Sequence, residues 1–174
     1  MITMSHAHHD HCETGRIVGA PVVARDTEAV CVGGVASHAV GSYHDGARGA
    51  KRGPNAIRIF EIDGLKVVHM GDQGCMPDEA ALAAIAGADV MMIPTGGTYT
   101  VDAQGAKAIV EAAKPRCVIP MHVRTRRCTY PIAPVTDFLR AMGAQDAQPV
   151  RELISTRDGG PQGVVVMLPM ADAL

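Results

Sequence analysis

The chain has 174 residues, 47% of them hydrophobic but only 3% aromatic, with no Trp and a formal net charge of -2. That length suits one domain spanning residues 1–174, the near-neutral charge gives no electrostatic case for a polyanion, and the shortage of rings leaves bases little to stack on, so a nucleic-acid partner is not expected. No apolar run of about 18 residues or signal-peptide pattern occurs, and Cys12, Cys31, Cys75, Cys117 and Cys128 are odd in number without a C-x-x-C pair, which argues against a disulfide framework or a membrane partner and fits a cytoplasmic protein.

The first motif follows at once. His6-Ala7-His8-His9-Asp10-His11 reads H-x-H-x-D-H and places His6, His8, Asp10 and His11 close together. Imidazole nitrogens with a carboxylate suit zinc, iron or manganese, and alternating residues on a short extended or looped segment can aim at two neighbouring ions. A purification tag would be an uninterrupted run, whereas Ala7 and Asp10 break this one.

Beyond it, short Val- and Ile-rich runs alternate with Ala-rich helical patterns, the signature of a layered α/β fold. Strands are expected over Val22 to Ala24, Val35 to Val40, Ala56 to Ile62, Leu65 to His69, Val90 to Ile93, Cys117 to Pro120 and Gly163 to Leu168. Asp63-Gly64 reads as a tight hairpin turn. Helices are expected over Pro77 to Ala86, Asp102 to Ala113 and Pro134 to Met142, each opened by Pro or by an Asp able to cap it. Gly41 to Pro54 reads as a long Gly-rich loop, the kind of irregular segment that is often functional.

Three more candidates stand where an expected strand runs into a loop. His44 lies in Ser42-Tyr43-His44-Asp45-Gly46, Asp72 in His69-Met70-Gly71-Asp72-Gln73-Gly74, and His122 closes Val118-Ile119-Pro120-Met121-His122. A carboxylate at a Gly-flanked turn has little bulk around it, and its two oxygens can bridge two cations. Arg48, Lys51 and Arg52 beside His44, Tyr99, and Arg124 to Arg127 after His122 are candidates to hold an anionic group.

In this order the motifs resemble the metallo-β-lactamase-fold hydrolases. Tyr43-His44-Asp45, Arg52-Gly53-Pro54-Asn55, His69 to Gly74, Pro94-Thr95-Gly96-Gly97-Thr98-Tyr99-Thr100 and Ile119-Pro120-Met121-His122 look like the branch that includes the ascorbate-6-phosphate lactonase-like proteins, over about Thr3 to Arg127. The resemblance implies an αββα sandwich and two divalent metal ions, zinc first with manganese or iron as alternatives. It puts His6, His8 and His44 on one ion, Asp10, His11 and His122 on the other, and Asp72 between them. His38 falls inside a strand run and is read as structural; His9 and His69 match no ligand position and are read as supporting or packing residues.

The chain departs from that pattern at its start, where only Met1 to Ser5 precede the motif and the strands that would open the sandwich are not seen. A fragment or misassigned start, a compact variant, and a homo-oligomer covering the exposed sheet are the three readings left open. The resemblance further implies hydrolysis. Two cations lower the pKa of a bridging water from about 15.7 towards about 7, giving a hydroxide that Asp10 orients as the catalytic carboxylate, on a small ester, lactone or phosphoester of anionic character. A di-iron redox protein of the same fold and a catalytically inactive metal-binding remnant are the alternatives.

Overall fold

The computed structural model describes residues 1–168. In chain order its elements are β1 (Ile2–Thr3), α1 (His9–Cys12), β2 (Val23–Ala24), β3 (Val30–Val32), β4 (Val35–Tyr43), β5 (Pro54–Ile62), β6 (Leu65–His69), α2 (Glu79–Ile85), β7 (Val90–Pro94), α3 (Ala103–Ala113), β8 (Cys117–Met121), α4 (Val135–Met142) and β9 (Gly163–Val164). Strands β3 to β9 form a seven-stranded sheet in sequence order, and β1 pairs with β2 in a small parallel sheet. The expected α/β architecture is present, and among the described residues β1 and β2 are the strands outside the large sheet.

The first half of the large sheet is an antiparallel meander. β4 and β5 pair from Ala36↔Glu61 to Tyr43↔Pro54, and β5 turns into β6 through Asp63 (φ 50) and Gly64 (φ 78). Two successive positive φ values are those of a type I′ hairpin, whose twist matches the flanking strands, so the turn read from Asp-Gly is confirmed. From β6 onward the pairs are parallel, and α2, α3 and α4 supply the crossovers.

Strand alternation sorts side chains between the faces. Ile59, Val68, Met91 and Val118 are registered neighbours on four strands and belong to one buried cluster with Ile85, Ile109 and Phe138 of the helices. The next row, Arg58, His69, Met92 and Ile119, points to the opposite face. There Phe60, Val67, Met92 and Ile119 are half-buried.

Several expectations need correction. α2 and α3 are capped by the Asp78 and Asp102 carboxylates, which accept from Ala81 N and Gly105 N, but Pro77 and Pro134 lie outside the helices. Pro134 is the N-cap residue of α4, with the extended backbone (φ -73, ψ 159) usual at that position, so the first turn begins one residue later than expected. The Gly41 to Pro54 loop is shorter than expected: β4 runs on to Tyr43 and β5 begins at Pro54, since Gly41 and Ser42 still pair with Ala56 and Asn55. β9 stops at Val164, with Met167 making an isolated bridge to Val150. β3 was not anticipated from its short, exposed Val-Cys-Val pattern.

All five cysteines are free, and no described helix is long and apolar enough to cross a membrane. Phe138 is fully buried in the core cluster and carries α4 onto the sheet. Phe138→Ala is expected to lower unfolding stability by about 3–5 kcal/mol in a urea titration; a loss under about 1 kcal/mol would place α4 outside the cooperative core.

Candidate metal centre

Because β4 is antiparallel to β5 and β5 to β6, strands β4, β6, β7 and β8 all point the same way. Their carboxyl ends therefore open at one edge of the sheet, the place where open α/β sheets bind ligands. His44 follows β4, Asp72 follows β6, Tyr99 follows β7 and His122 follows β8. The N-terminal segment is brought to the same edge by Ala56 N, at the start of β5, donating to Ser5 O at 2.7 Å.

The Asp72 carboxylate is the centre of the arrangement. Its Oδ2 lies 3.3 Å from His44 Nε2, 3.5 Å from His11 Nε2, 3.8 Å from His122 Nε2 and 3.9 Å from His6 Nε2. His6 Nε2 is also 3.1 Å from His8 Nδ1, while its own Nδ1 is held by Ser5 Oγ at 2.9 Å. Asp10 Oδ2 sits 3.7 Å from His11 Nε2 on the outer side. Two groups of ligand atoms are tight enough to hold an ion, His6 with His8 and His44, and His6 with His11 and Asp72. The first is the expected trio; the second places His11 against Asp72, with Asp10 and His122 flanking it.

The segment carrying H-x-H-x-D-H, read as extended or looped, is extended at His8 and then helical. His8 is extended (φ -66, ψ 144) and then caps a single helical turn, α1, with His11 N donating to His8 O at 2.9 Å. Consecutive residues on a helix point about 100° apart, so His11 faces Asp72 while Asp10 stays at the mouth with its side chain 60% exposed. His9 does not pack, its side chain being 98% exposed, and its Nδ1 lies 3.8 Å from Asp10 Oδ1. His38 is an exposed residue of β4, and His69 is half-buried, its Nδ1 accepting from Gly71 N.

A buried amide network, not anticipated from the sequence, fixes the Asp72 turn. Asn55 Oδ1 accepts from Asp72 N at 3.0 Å, and Asn55 Nδ2 donates to Met70 O and to Gln73 Oε1. Gln73 Nε2 in turn donates to Ser42 Oγ at 2.6 Å and Cys75 O at 2.8 Å. The only sequence signal was two amides, in Asn55 and Gln73, close to the motif turns. Two glycines allow close approach of the loops: a Cβ on Gly74 would collide with the His44 backbone, and one on Gly96 with the His122 carbonyl.

Asp45, next to His44, ties the following loop into a cage. Its carboxylate accepts from the backbone N of Ala47, Gly49, Lys51 and Arg52 at 2.7–3.1 Å. Burial tends to raise its pKa, but the four donors outweigh burial and hold it below the ordinary value.

At Asp72 and His6 the electrostatics match what metal ligands require, an anionic carboxylate and a neutral imidazole. Burial would raise Asp72, yet its hydrogen bond with His44 and the neighbouring His11, His122 and His6 bring it down to about 2. Burial, followed by His11, His44 and His8, lowers His6 to about 4 against a smaller upward pull from Asp72. Among the described residues His44 Nδ1 and His122 Nδ1 are buried without a hydrogen-bond partner. The donors are nitrogen and oxygen without thiolate, the set that suits zinc, manganese or iron, so the residues present fit a divalent metal centre.

Beside the cluster is a cavity of about 250 Å³ whose lining includes His8, Asp10, His44, Asp72 and His122 together with Arg52, Tyr99 and Tyr130. Of the expected basic rim only Arg52 reaches it. Arg48 lines a separate cavity of about 550 Å³, and Lys51, Arg124, Arg126 and Arg127 are exposed outside the lining. The chain turns back after His122, with Arg124 N bound to Ala133 O, so the Arg124 to Arg127 turn is carried away from the site and Tyr130 is brought in.

For chelator-treated protein, the sign of one pH effect follows from His6. Its folded value, about 4, lies below the ordinary 6.5, so between the two the unfolded chain binds more protons and stability falls as the pH is lowered. Urea unfolding at pH 7 and pH 5 should show a larger loss for the parent than for His6→Gln; equal losses would mean that His6 is not buried as the neutral base. Gly96→Ala should weaken zinc binding by displacing His122, read as a higher Kd in a zinc titration. An unchanged Kd would show that the loop gives way without moving His122.

The comparisons agree with this geometry. Residues 1–122 match the beta-lactamase superfamily domain family. The chain is 32% identical over 147 residues to a UPF0173 metal-dependent hydrolase of Thermoplasma acidophilum, covering 72% of this chain and 66% of that protein, slightly under two thirds of its length. It is 31% identical over 150 residues to a UPF0173 metal-dependent hydrolase of Pyrococcus horikoshii, covering 72% and 67%. A crystal structure from Thermotoga maritima, described as a candidate Zn-dependent hydrolase of the metallo-beta-lactamase superfamily, superposes with a TM-score of 0.77 at 32% identity, over 95% of this chain and 79% of that one. The diiron β-hydroxylase CmlA of Streptomyces venezuelae shares the fold at 14% identity (TM-score 0.55, 95% of this chain and 43% of that one). The matched domain and these relatives together place the chain in the metallo-β-lactamase superfamily, among the UPF0173 metal-dependent hydrolases.

Proposed function

We propose that this protein is a hydrolase with a dinuclear metal centre, acting as one domain on a small anionic ester, lactone or phosphoester. The observation that carries the reading is the convergence of four imidazole Nε2 atoms within 3.3–3.9 Å of one buried carboxylate oxygen. His6, His8 and His44 hold one ion, Asp10, His11 and His122 the other, and Asp72 is shared. Zinc is the first choice, with manganese or iron compatible with the same donors. When bound, such ions acidify water and polarise a carbonyl or phosphoryl oxygen.

The chain's own groups then have distinct tasks. Asp72, ionised well below neutral pH, keeps the imidazoles facing inward, and Asn55 keeps Asp72 in place through its backbone N. His6, neutral above about pH 4, presents a lone pair without first losing a proton. Asp10, at the mouth and lining the cavity, accepts a hydrogen bond from the attacking water on a carboxylate oxygen and so orients it. The cavity is smaller than the roughly 300–1,000 Å³ usual for drug-sized ligands, which favours a small molecule over a polymer. The di-iron redox reading has the fold of CmlA behind it, but the donor cluster here contains no glutamate.

Elemental analysis of the purified chain tests the reading. About two equivalents of divalent metal are expected, lost in His8→Ala and Asp72→Ala together with hydrolysis of a small carboxylate ester or phosphodiester, and retained in His38→Ala. A metal-free parent, or an Asp72→Ala protein that keeps both ions, would overturn it. Chelation is also expected to lower the unfolding midpoint, since a ligand held at about 100 times its Kd stabilises the folded state by about 2.7 kcal/mol.

A further inference from the structure

The part of the cavity lining outside the candidate ligands is made by side chains that the hydrolase reading does not use. Arg52 is the guanidinium in that lining, and Tyr99 and Tyr130 are its two phenol rings. Arg52 lies with its Cζ 5.7 Å from the centre of the Tyr99 ring and donates from one terminal nitrogen to Thr98 O at 3.1 Å. Among the described residues this is the one hydrogen bond of its side chain, its backbone N being held by Asp45. A guanidinium has five donors in a rigid fork, so most of that fork is free to meet a ligand in the cavity.

The rings are held as firmly as the arginine. Tyr99 meets Tyr130 edge to face at 6.1 Å and 85°, and His122 at 6.4 Å and 76°. The two loops that carry the tyrosines are stitched together by Thr98 Oγ1 donating to Pro131 O at 2.6 Å and by Ala133 N donating to Gly96 O at 2.8 Å. Thr98 sits at φ 61, a conformation a β-branched residue rarely adopts. Backbone strain of this kind persists where the surroundings fix it, and it clusters at ligand sites. Tyr130 nevertheless remains 63% exposed on the cavity wall.

We propose that this wall is the specificity site of the enzyme: Arg52 clamps a carboxylate or phosphate group of the substrate in bidentate fashion, and Tyr130, backed by Tyr99, takes up a flat or ring-shaped remainder. The proposal rests on the hydrolase reading for the reaction but not for the binding it describes. It narrows the substrate class to small molecules that carry both an anion and a ring. Its chemistry follows from the fork geometry that matches two oxygens of one anion and from aromatic faces that stack on planar groups.

The probes are phenylphosphonate and methylphosphonate, which carry the same anion with and without a ring and contain no hydrolysable ester. Their Kd values are measured by calorimetry on the full chain, both zinc-loaded and chelator-treated, with metal content read on the same samples. The parent should prefer phenylphosphonate. Arg52→Ala should weaken both ligands by roughly 10–100-fold, the range for a lost charged hydrogen bond, and Arg52→Lys should recover only part of that. Tyr130→Ala should erase the preference for the ring and leave methylphosphonate unchanged, and Arg127→Ala, outside the cavity, should match the parent. Binding of both ligands by Arg52→Ala and Arg52→Lys within twofold of the parent would overturn the clamp, and a ring preference that survives in Tyr130→Ala would overturn the wall. A parent without metal whose chelator-treated form still loses phosphonate binding in Arg52→Ala would sink the hydrolase reading alone. A parent with two ions and Arg52-independent binding would sink this inference alone.

Discussion

A carboxylate removed from water must be compensated by charge or hydrogen bonds, because an ion buried without them costs several kcal/mol. Asp72 is 6% exposed, and among the described residues its ionic contacts are all to imidazoles, none to Lys or Arg. Imidazoles that are themselves buried resist taking up a proton, as the lowered value of His6 shows. Asp72 ionised and His6 neutral is a pairing that leaves negative charge and lone pairs converging on one small volume, and divalent cations resolve it better than protons do. The other features of the site serve to keep that pairing in place.

The sheet does most of this through direction. Four strands run the same way, so their carboxyl ends deliver His44, Asp72, Tyr99 and His122 to one edge without any long connection. Side-chain alternation along β6, β7 and β8 sends Val68, Met91 and Val118 into the helical core beside Ile59 of β5, so these strand ends are anchored by apolar burial a few residues from the candidate ligands. Between anchor and ligand the backbone has to turn sharply, and there the buried amides of Asn55 and Gln73 replace solvent as hydrogen-bond partners. Satisfied polar networks of this kind rigidify a loop more than apolar contacts can.

The parts of the molecule legible in sequence were those governed by short-range rules. β6 was placed to the residue, the Asp63-Gly64 turn follows from the φ values that Asn, Asp and Gly tolerate, and α3 is bounded by an Asp cap that sequence alone identifies. The strand-end positions of His44, Asp72 and His122 could be read because apolar runs stop just before them. What could not be read depended on partners distant in sequence. The pairing that extends β4 to Tyr43 comes from Pro54 to Ala56, and the replacement of Arg124 to Arg127 by Tyr130 at the cavity comes from the hydrogen bond that folds 124 back on 133. The helical turn at His9–Cys12 was hidden by a composition that favours neither state, and it separates Asp10 from His11 in a way that an extended H-x-H-x-D-H would not.

Backbone strain marks the same division between core and edge. His122 (φ 53) and Thr98 (φ 61) are non-glycine residues at positive φ, both in loops after parallel strands, His122 lining the cavity and Thr98 accepting from Arg52 of that lining. Each such residue costs on the order of 1–3 kcal/mol, so neither would hold its conformation on a freely moving loop. They hold it because β7 and β8 are fixed beneath them by register from Val90↔Cys117 to Pro94↔Met121, and because the loops are bonded to each other above. The stability of the helical face is thus what permits a strained, preorganised rim at the sheet edge. A substrate meeting that rim finds Arg52 and the tyrosines already in position, and less of its binding energy is lost to ordering them.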